Sequence, residues 1–201
     1  MILDLFRRGA MDDMDRMQLI MSLGVRVFVV FCVLPIHEFA HAFIADKLGD
    51  HTAKLKGRLT ISPMAHIDWI GALMIFLVGF GYAKPVPVNM RNFRKKNEAE
   101  SENIYFMGSA TRFDPKYAKR CMALVAFAGP ASNLLMALVS LLIANFVKAV
   151  ASYSVLTAII YYFFYFCATI NINLAVFNLI PIPPLDGSRI LSVVIPDKYY
   201  F

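Results

Sequence analysis

The feature that most constrains this chain is an apolar run long enough to cross a bilayer with ionisable residues inside it. Leu19 to Ala45 is interrupted only by Arg26, Pro35 and the cluster His37-Glu38-Phe39-Ala40-His41. The part from Val27 to Ala45 is 19 residues, about one hydrocarbon core at 1.5 Å per residue. Arg26 then falls near one interface, where its long side chain can snorkel. Ionisable groups at membrane depth are costly, and where they persist they usually mark function. Further apolar runs cover Ile67 to Tyr82, Cys121 to Val147 and Tyr153 to Ile180. Of the 201 residues, 59% are hydrophobic and 17% charged. Soluble domains are roughly 45–50% apolar, so disorder and an ordinary soluble fold are both disfavoured. The expectation is an all-α integral membrane protein, one membrane-embedded unit over residues 1–201, with three core transmembrane helices.

The remaining segments are short or polar. Met1 to Gln18 lacks a secretory cleavage site and reads as an interfacial amphipathic helix. Asp46 to His66 alternates at Ala53, Leu55, Leu59 and Ile61, which suggests a short β-hairpin. Ile67 to Tyr82 is short and carries Gly71, Gly79 and Gly81. In Lys84-Pro85-Val86-Pro87-Val88-Asn89 alternate prolines forbid a helix and fit an extended edge strand. A polar insert lies at about 95–119. Within it, Glu102 to Ser109 resembles a tag-removal protease site and carries no functional weight. Ser188 to Ile195 reads as a short amphipathic helix. The net charge of +6 does not point to nucleic acid, because the basic residues flank apolar runs. Cys32, Cys121 and Cys167 are far apart in apolar context and read as reduced thiols.

His37-Glu38-x-x-His41 is the motif that carries chemistry. Positions four apart share one helix face, so both imidazoles can bind one cation. Glu38 sits next round the helix, within reach of a metal-bound water. Zinc suits two histidines, one further protein ligand and an open position, and it lowers the pKa of its water to roughly 7. For the third ligand Asp186 stands out. It follows a proline-broken helix end, and irregular backbone at membrane depth is tolerated only inside protein or along a cavity. Taken alone, an aspartate there is more often the N-cap of the helix that follows. His51 and His66 are rival ligands, though both lie in the polar hairpin.

The sequence resembles the site-2 protease family of intramembrane zinc metalloproteases, and most of all its small bacterial and archaeal branch. The resemblance rests on His37-Glu38-Phe39-Ala40-His41, Gly129-Pro130-Ala131-Ser132-Asn133, and Asn178 through Pro181-Ile182-Pro183-Pro184-Leu185-Asp186-Gly187. Lesser matches are Leu48-Gly49-Asp50, Gly57-Arg58-Leu59-Thr60 and Gly81 through Asn89. It covers about Val25 to Ile195, except the polar insert. It implies that His37, His41 and Asp186 ligate one zinc ion and that Glu38 is the general base. Asn178 would help hold the substrate or the oxyanion, and Asn133 would be a second polar support. Asn171 and Asn173 are weaker candidates. The family usually continues with another apolar span after the Leu-Asp-Gly helix, so a truncated chain is expected.

These three motifs can meet only if the chain re-enters on the side it left between Ala45 and Cys121. Ile67 to Tyr82 is therefore expected to dip in and return, or to lie in the interface. The polar stretches on that side hold thirteen Lys and Arg, against Arg7, Arg8, Arg16, Arg26 and Lys148 on the other side. By the positive-inside rule the zinc site faces the cytoplasm. The implied reaction is hydrolysis of a peptide bond in or near a transmembrane segment of a protein or peptide substrate in the lipid bilayer. The segment at Lys84 to Asn89 would offer an edge for an unwound substrate to join as an added strand. A zinc transporter or sensor is the first alternative, but its ionisable groups would be strung along a path. An inactive membrane scaffold is the second.

Overall fold

The structure is a computed structural model that describes residues 13–78, 81–93, 114–152 and 154–193. The first apolar run forms helix α1 (Asp13–Phe28), a wider π-helical turn (Val29–Val33) and helix α2 (Leu34–Lys47). Pro35 lies in the first turn of α2. Its ring needs room against the carbonyl four residues back, and that carbonyl, of Phe31, belongs to the widened turn. Two single-turn helices follow, α3 (Thr52–Leu55) and α4 (Pro63–His66), then α5 (Trp69–Leu77). From Gly81 the chain runs without helix or strand to a 3-10 turn at Met90–Asn92. The long helices α6 (Pro115–Val150) and α7 (Val155–Leu179) and the short α8 (Asp186–Leu191) complete the described chain.

Three helical stretches are long and apolar enough to cross a membrane: Leu19–Lys47, Pro115–Val150 and Val155–Leu179. Their caps explain where they begin. Asp114 accepts the N–H groups of Lys116 and Tyr117, with Pro115 in the first turn of α6. Ser154 and Thr157 form a reciprocal capping box at the start of α7. The turn between α6 and α7 is short, so the two run antiparallel and pack along their length. The buried face of α6 consists mostly of small or slim residues at helical spacing: Ala118, Cys121, Val125, Gly129, Asn133, Ala137, Ser140 and Ala144. The large apolar residues Leu124, Leu135, Leu138, Leu142 and Phe146 point outward. Small residues between helices and large ones toward lipid are the arrangement expected in a bilayer.

The expected β-hairpin is not found, and no strand occurs among the described residues. Of the four residues whose alternation suggested it, Ala53 is fully buried, whereas Leu55 is 85% and Ile61 64% exposed. The alternation therefore does not sort the residues onto two faces. The side chain of Asp50 instead accepts from the N–H and hydroxyl of Thr52 and starts a helical turn. Gly57, at φ +65°, turns the chain after it. The segment at Lys84 to Asn89 is extended as its prolines require, but it pairs with no strand.

Helix α5 has nine residues, too few to span. A Cβ on Gly71 would lie 2.0 Å from the carbonyl oxygen of Tyr82, and one on Gly81 2.1 Å from that of Gly71. The chain thus goes out along α5 and returns beside it, and only glycines permit so close a backbone approach. Arg26, 6% exposed, donates from Nη1 to the carbonyls of Ile75, at 3.0 Å, and Phe76. It caps the carbonyl end of α5. Helix α6 begins at Pro115 and so takes in the last residues expected of the polar insert. The rest of the insert, with the Glu102–Ser109 stretch, lies outside the described residues. So do residues 1–12 of the expected interfacial helix; from Asp13 the chain already belongs to α1.

Candidate metal centre

His37 and His41 lie one turn apart on α2, and both are buried. Their Nε2 atoms are 3.1 Å apart. Asp186, at the first turn of α8, puts Oδ2 at 3.4 Å from His37 Nε2 and 3.3 Å from His41 Nε2. Ligands about 2.0–2.1 Å from a tetrahedral zinc are roughly 3.3–3.4 Å from one another. The three donor atoms therefore fit three corners of such a tetrahedron, and they are the one group of metal-ligating side chains among the described residues. Asp186 does not cap α8; no side-chain cap bond is made there.

Helix α6 supplies the backing. His41 Nδ1–H donates to the carbonyl of Val125 at 2.7 Å, which leaves Nε2 with its lone pair free in the donor triangle. One turn on, a Cβ added to Gly129 would lie 2.4 Å from His41 Nε2 and 2.5 Å from His37 Cε1. The glycine is what lets α6 lie against both imidazoles. At the other wall, a Cβ on Gly187 would lie 2.2 Å from the carbonyl oxygen of Leu179. The Asp186-Gly187 turn is thereby set tight against the end of α7.

Glu38, beside the metal position on α2, is held from a third direction. Its Oε2 accepts the main-chain N–H of Val86 at 3.0 Å. The extended strap carrying Val86 is itself fixed. Lys84 N–H donates to the His66 carbonyl at 2.9 Å, and Arg58 Nη2 donates to the carbonyls of Lys84 at 2.6 Å and Pro85 at 3.3 Å. The N–H of Asn89 and the side chain of Asn92 donate to Asp50 at 2.7 and 2.9 Å. Burial pushes the Asp50 carboxyl up, but these donors and Thr52 outweigh it and hold it below its ordinary range.

The other expected site residues lie apart from the donor triangle or touch it only through their helices. Asn133 is fully buried one turn beyond Gly129, and neither its amide nitrogen nor its amide oxygen has a partner. Asn178 donates to the Leu174 carbonyl at 2.9 Å within α7. Asn171 is buried and bonded to the Cys167 carbonyl at 2.8 Å, and Asn173 is exposed. His51 is exposed and pairs with Asp46 at 2.6 Å. His66 donates from Nε2 to the Thr60 carbonyl at 2.7 Å, and burial holds its pKa down. Neither histidine joins the triangle. The contacts of Val125, Gly129 and Val86 escape a reading of the sequence. Gly129 left a signal in its place within Gly129-Pro130-Ala131-Ser132-Asn133, and Val86 in its place within the extended segment Lys84 to Asn89, but the sequence does not show what either one touches.

The family model Peptidase family M50 matches residues 143–198. YwhC of Bacillus subtilis, designated a zinc metalloprotease, is 36% identical over 172 residues, covering 85% of this chain and 68% of that protein. Rip2 of Mycobacterium tuberculosis, likewise designated, is 29% identical over 175 residues, 84% of this chain and 58% of its own. Rip2 of Mycolicibacterium smegmatis is 27% identical over 179 residues, with 86% and 59% covered. The chain thus spans less than two thirds of the Rip2 proteins. No solved structure matches it.

Proposed function

Because the chain belongs to peptidase family M50, the site-2 protease family of zinc metalloproteases, we propose that it cleaves peptide bonds in or near transmembrane segments of membrane proteins. His37, His41 and Asp186 hold one zinc ion, and Glu38 is the general base. The observation that carries this reading is the triangle of donor atoms at 3.1, 3.3 and 3.4 Å, with a carboxylate beside it. The gathering of these groups at one point supports hydrolysis over metal transport, which needs a path.

Zinc bound at this triangle polarises a peptide carbonyl and brings the pKa of water to roughly 7. Glu38 accepts the proton of the attacking water and later delivers it to the leaving amine. The Val125 carbonyl holds His41 in the ligating tautomer. Asn133, buried with an unpartnered amide one turn beyond Gly129, is a second polar support near the site, and Asn178 helps hold the substrate or the oxyanion after leaving the Leu174 carbonyl. A substrate helix must unwind, because its peptide carbonyls are otherwise tied into i to i+4 bonds. The site opens to the cytoplasm, the side that carries most of the Lys and Arg.

Metal analysis of the detergent-purified protein tests the assignment. Wild type is expected to hold one zinc per chain. Asp186→Ala loses it. Glu38→Gln keeps it and no longer cleaves a reporter bearing one transmembrane segment. Full zinc occupancy in Asp186→Ala would remove Asp186 from the ligand set.

A further inference from the structure

The carboxylate of Glu38 does not stand free beside the metal position. We propose that the main-chain N–H of Val86 is the positioning group for Glu38, fixing one carboxylate oxygen and leaving the other to take the proton. This rests on the reading of Glu38 as general base. A glutamate has three side-chain torsions, and without a fixed partner it would sample several rotamers at the moment of attack. A main-chain N–H is suited to the task. It donates only, and it cannot compete for the proton.

The strap is built to present that one donor. Pro85 and Pro87 flank Val86 and carry no N–H, so from Pro85 to Pro87 Val86 supplies the sole main-chain donor. Its side chain is buried against Ala42, on the same helix as Glu38, and Ala53. On one side Arg58 and the His66 carbonyl pin Lys84, and on the other Asp50 pins Asn89. Arg58 and Asp50 are thus positioning residues that act on Glu38 through the strap. The arrangement also bears on how an unwound substrate is held. The Val86 N–H is engaged by Glu38, so this stretch offers an incoming strand carbonyl acceptors and no donor. Changes at Val86 should therefore appear in kcat rather than KM.

The test uses the whole protein in detergent with zinc bound. Label with proline carrying 13C at the carbonyl and with 15N-valine. Only the Pro85–Val86 and Pro87–Val88 amides then give signals, because no other proline precedes a valine. Val88→Ala assigns the pair. Glu38→Ala should move the Val86 amide proton upfield by more than the Val88 one. Replacing the Val86 amide by an ester, which keeps the side chain, should lower kcat on a cleavable transmembrane reporter. The expected loss is about 10- to 100-fold, a part of what a general base contributes. KM and zinc content should stay at wild-type values. Val86→Pro should repeat the loss in kcat, and Leu55→Ala, on an exposed residue, should show none. An unmoved Val86 resonance would overturn the contact. A raised KM at unchanged kcat would assign the N–H to substrate, and loss of zinc from the ester variant would make the strap merely structural. If Glu38→Gln retained activity while the resonance still moved, the base assignment itself would fail.

Discussion

At the scale of the residue, Gly129 decides how near α6 comes to the imidazoles of the proposed zinc site. The space a methyl group would need is already filled by His37 Cε1 and His41 Nε2. Gly129→Ala must therefore push the imidazoles or the helix away. Disturbing such support typically costs about 10–100-fold in metal affinity. Competition with a zinc chelator should show a loss of that order, while the helical content stays unchanged. A variant with wild-type zinc affinity would mean that α6 can shift without moving the ligands. The bond from His41 to the Val125 carbonyl belongs to the same contact, so α6 both backs the two imidazoles and sets a tautomer.

At the scale of the element, Arg26 and α5 form a pair. The guanidinium meets the carbonyls of Ile75 and Phe76 in the last turn of α5, where the helix dipole is negative. Hydrogen bonds to a charged group contribute about 1.5–3 kcal/mol each. Arg26→Ala is expected to loosen α5 selectively. Hydrogen exchange over Trp69–Leu77 should rise by at least about tenfold, the equivalent of 1.4 kcal/mol, while exchange in α6 and α7 stays as in wild type. Equal acceleration everywhere would show that Arg26 supports the whole bundle instead. Trp69, Ile70, Leu73 and Leu77 on α5 are exposed, so the helix lies against its surroundings and not in the protein core.

At the scale of the whole molecule, the described polar segments around Asp50 and the strap gather at one end, because Asn89 and Asn92 bond to Asp50. The α6–α7 turn lies a full 36-residue helix away from Asp114. With the strap end in the cytoplasm, a membrane-impermeant thiol reagent should label Leu55→Cys only in inverted vesicles. Ala151→Cys should be labelled only from the opposite side. The native cysteines would be replaced first. Labelling of both from one side would contradict the bundle's crossing of the membrane, and a reversed pattern would contradict the cytoplasmic orientation.

Much of this was legible in the sequence because it is local. Apolar runs of sufficient length became the three long helices. The four-residue spacing of His37 and His41 set both on one face, a property of any helix. Asp186 drew notice through the proline-rich break before it. The alternation in Asp46–His66 misled because period two has meaning only when one face is buried, and α3 and α4 bury Ala53 and His66 alone. What the tertiary structure decided was distance between segments far apart in the chain. That Gly129 meets the imidazoles, that Arg26 caps α5, and that Val86 donates to Glu38 across 48 residues follow from packing. No local periodicity encodes such contacts, because they arise only once helices and strap have found one another.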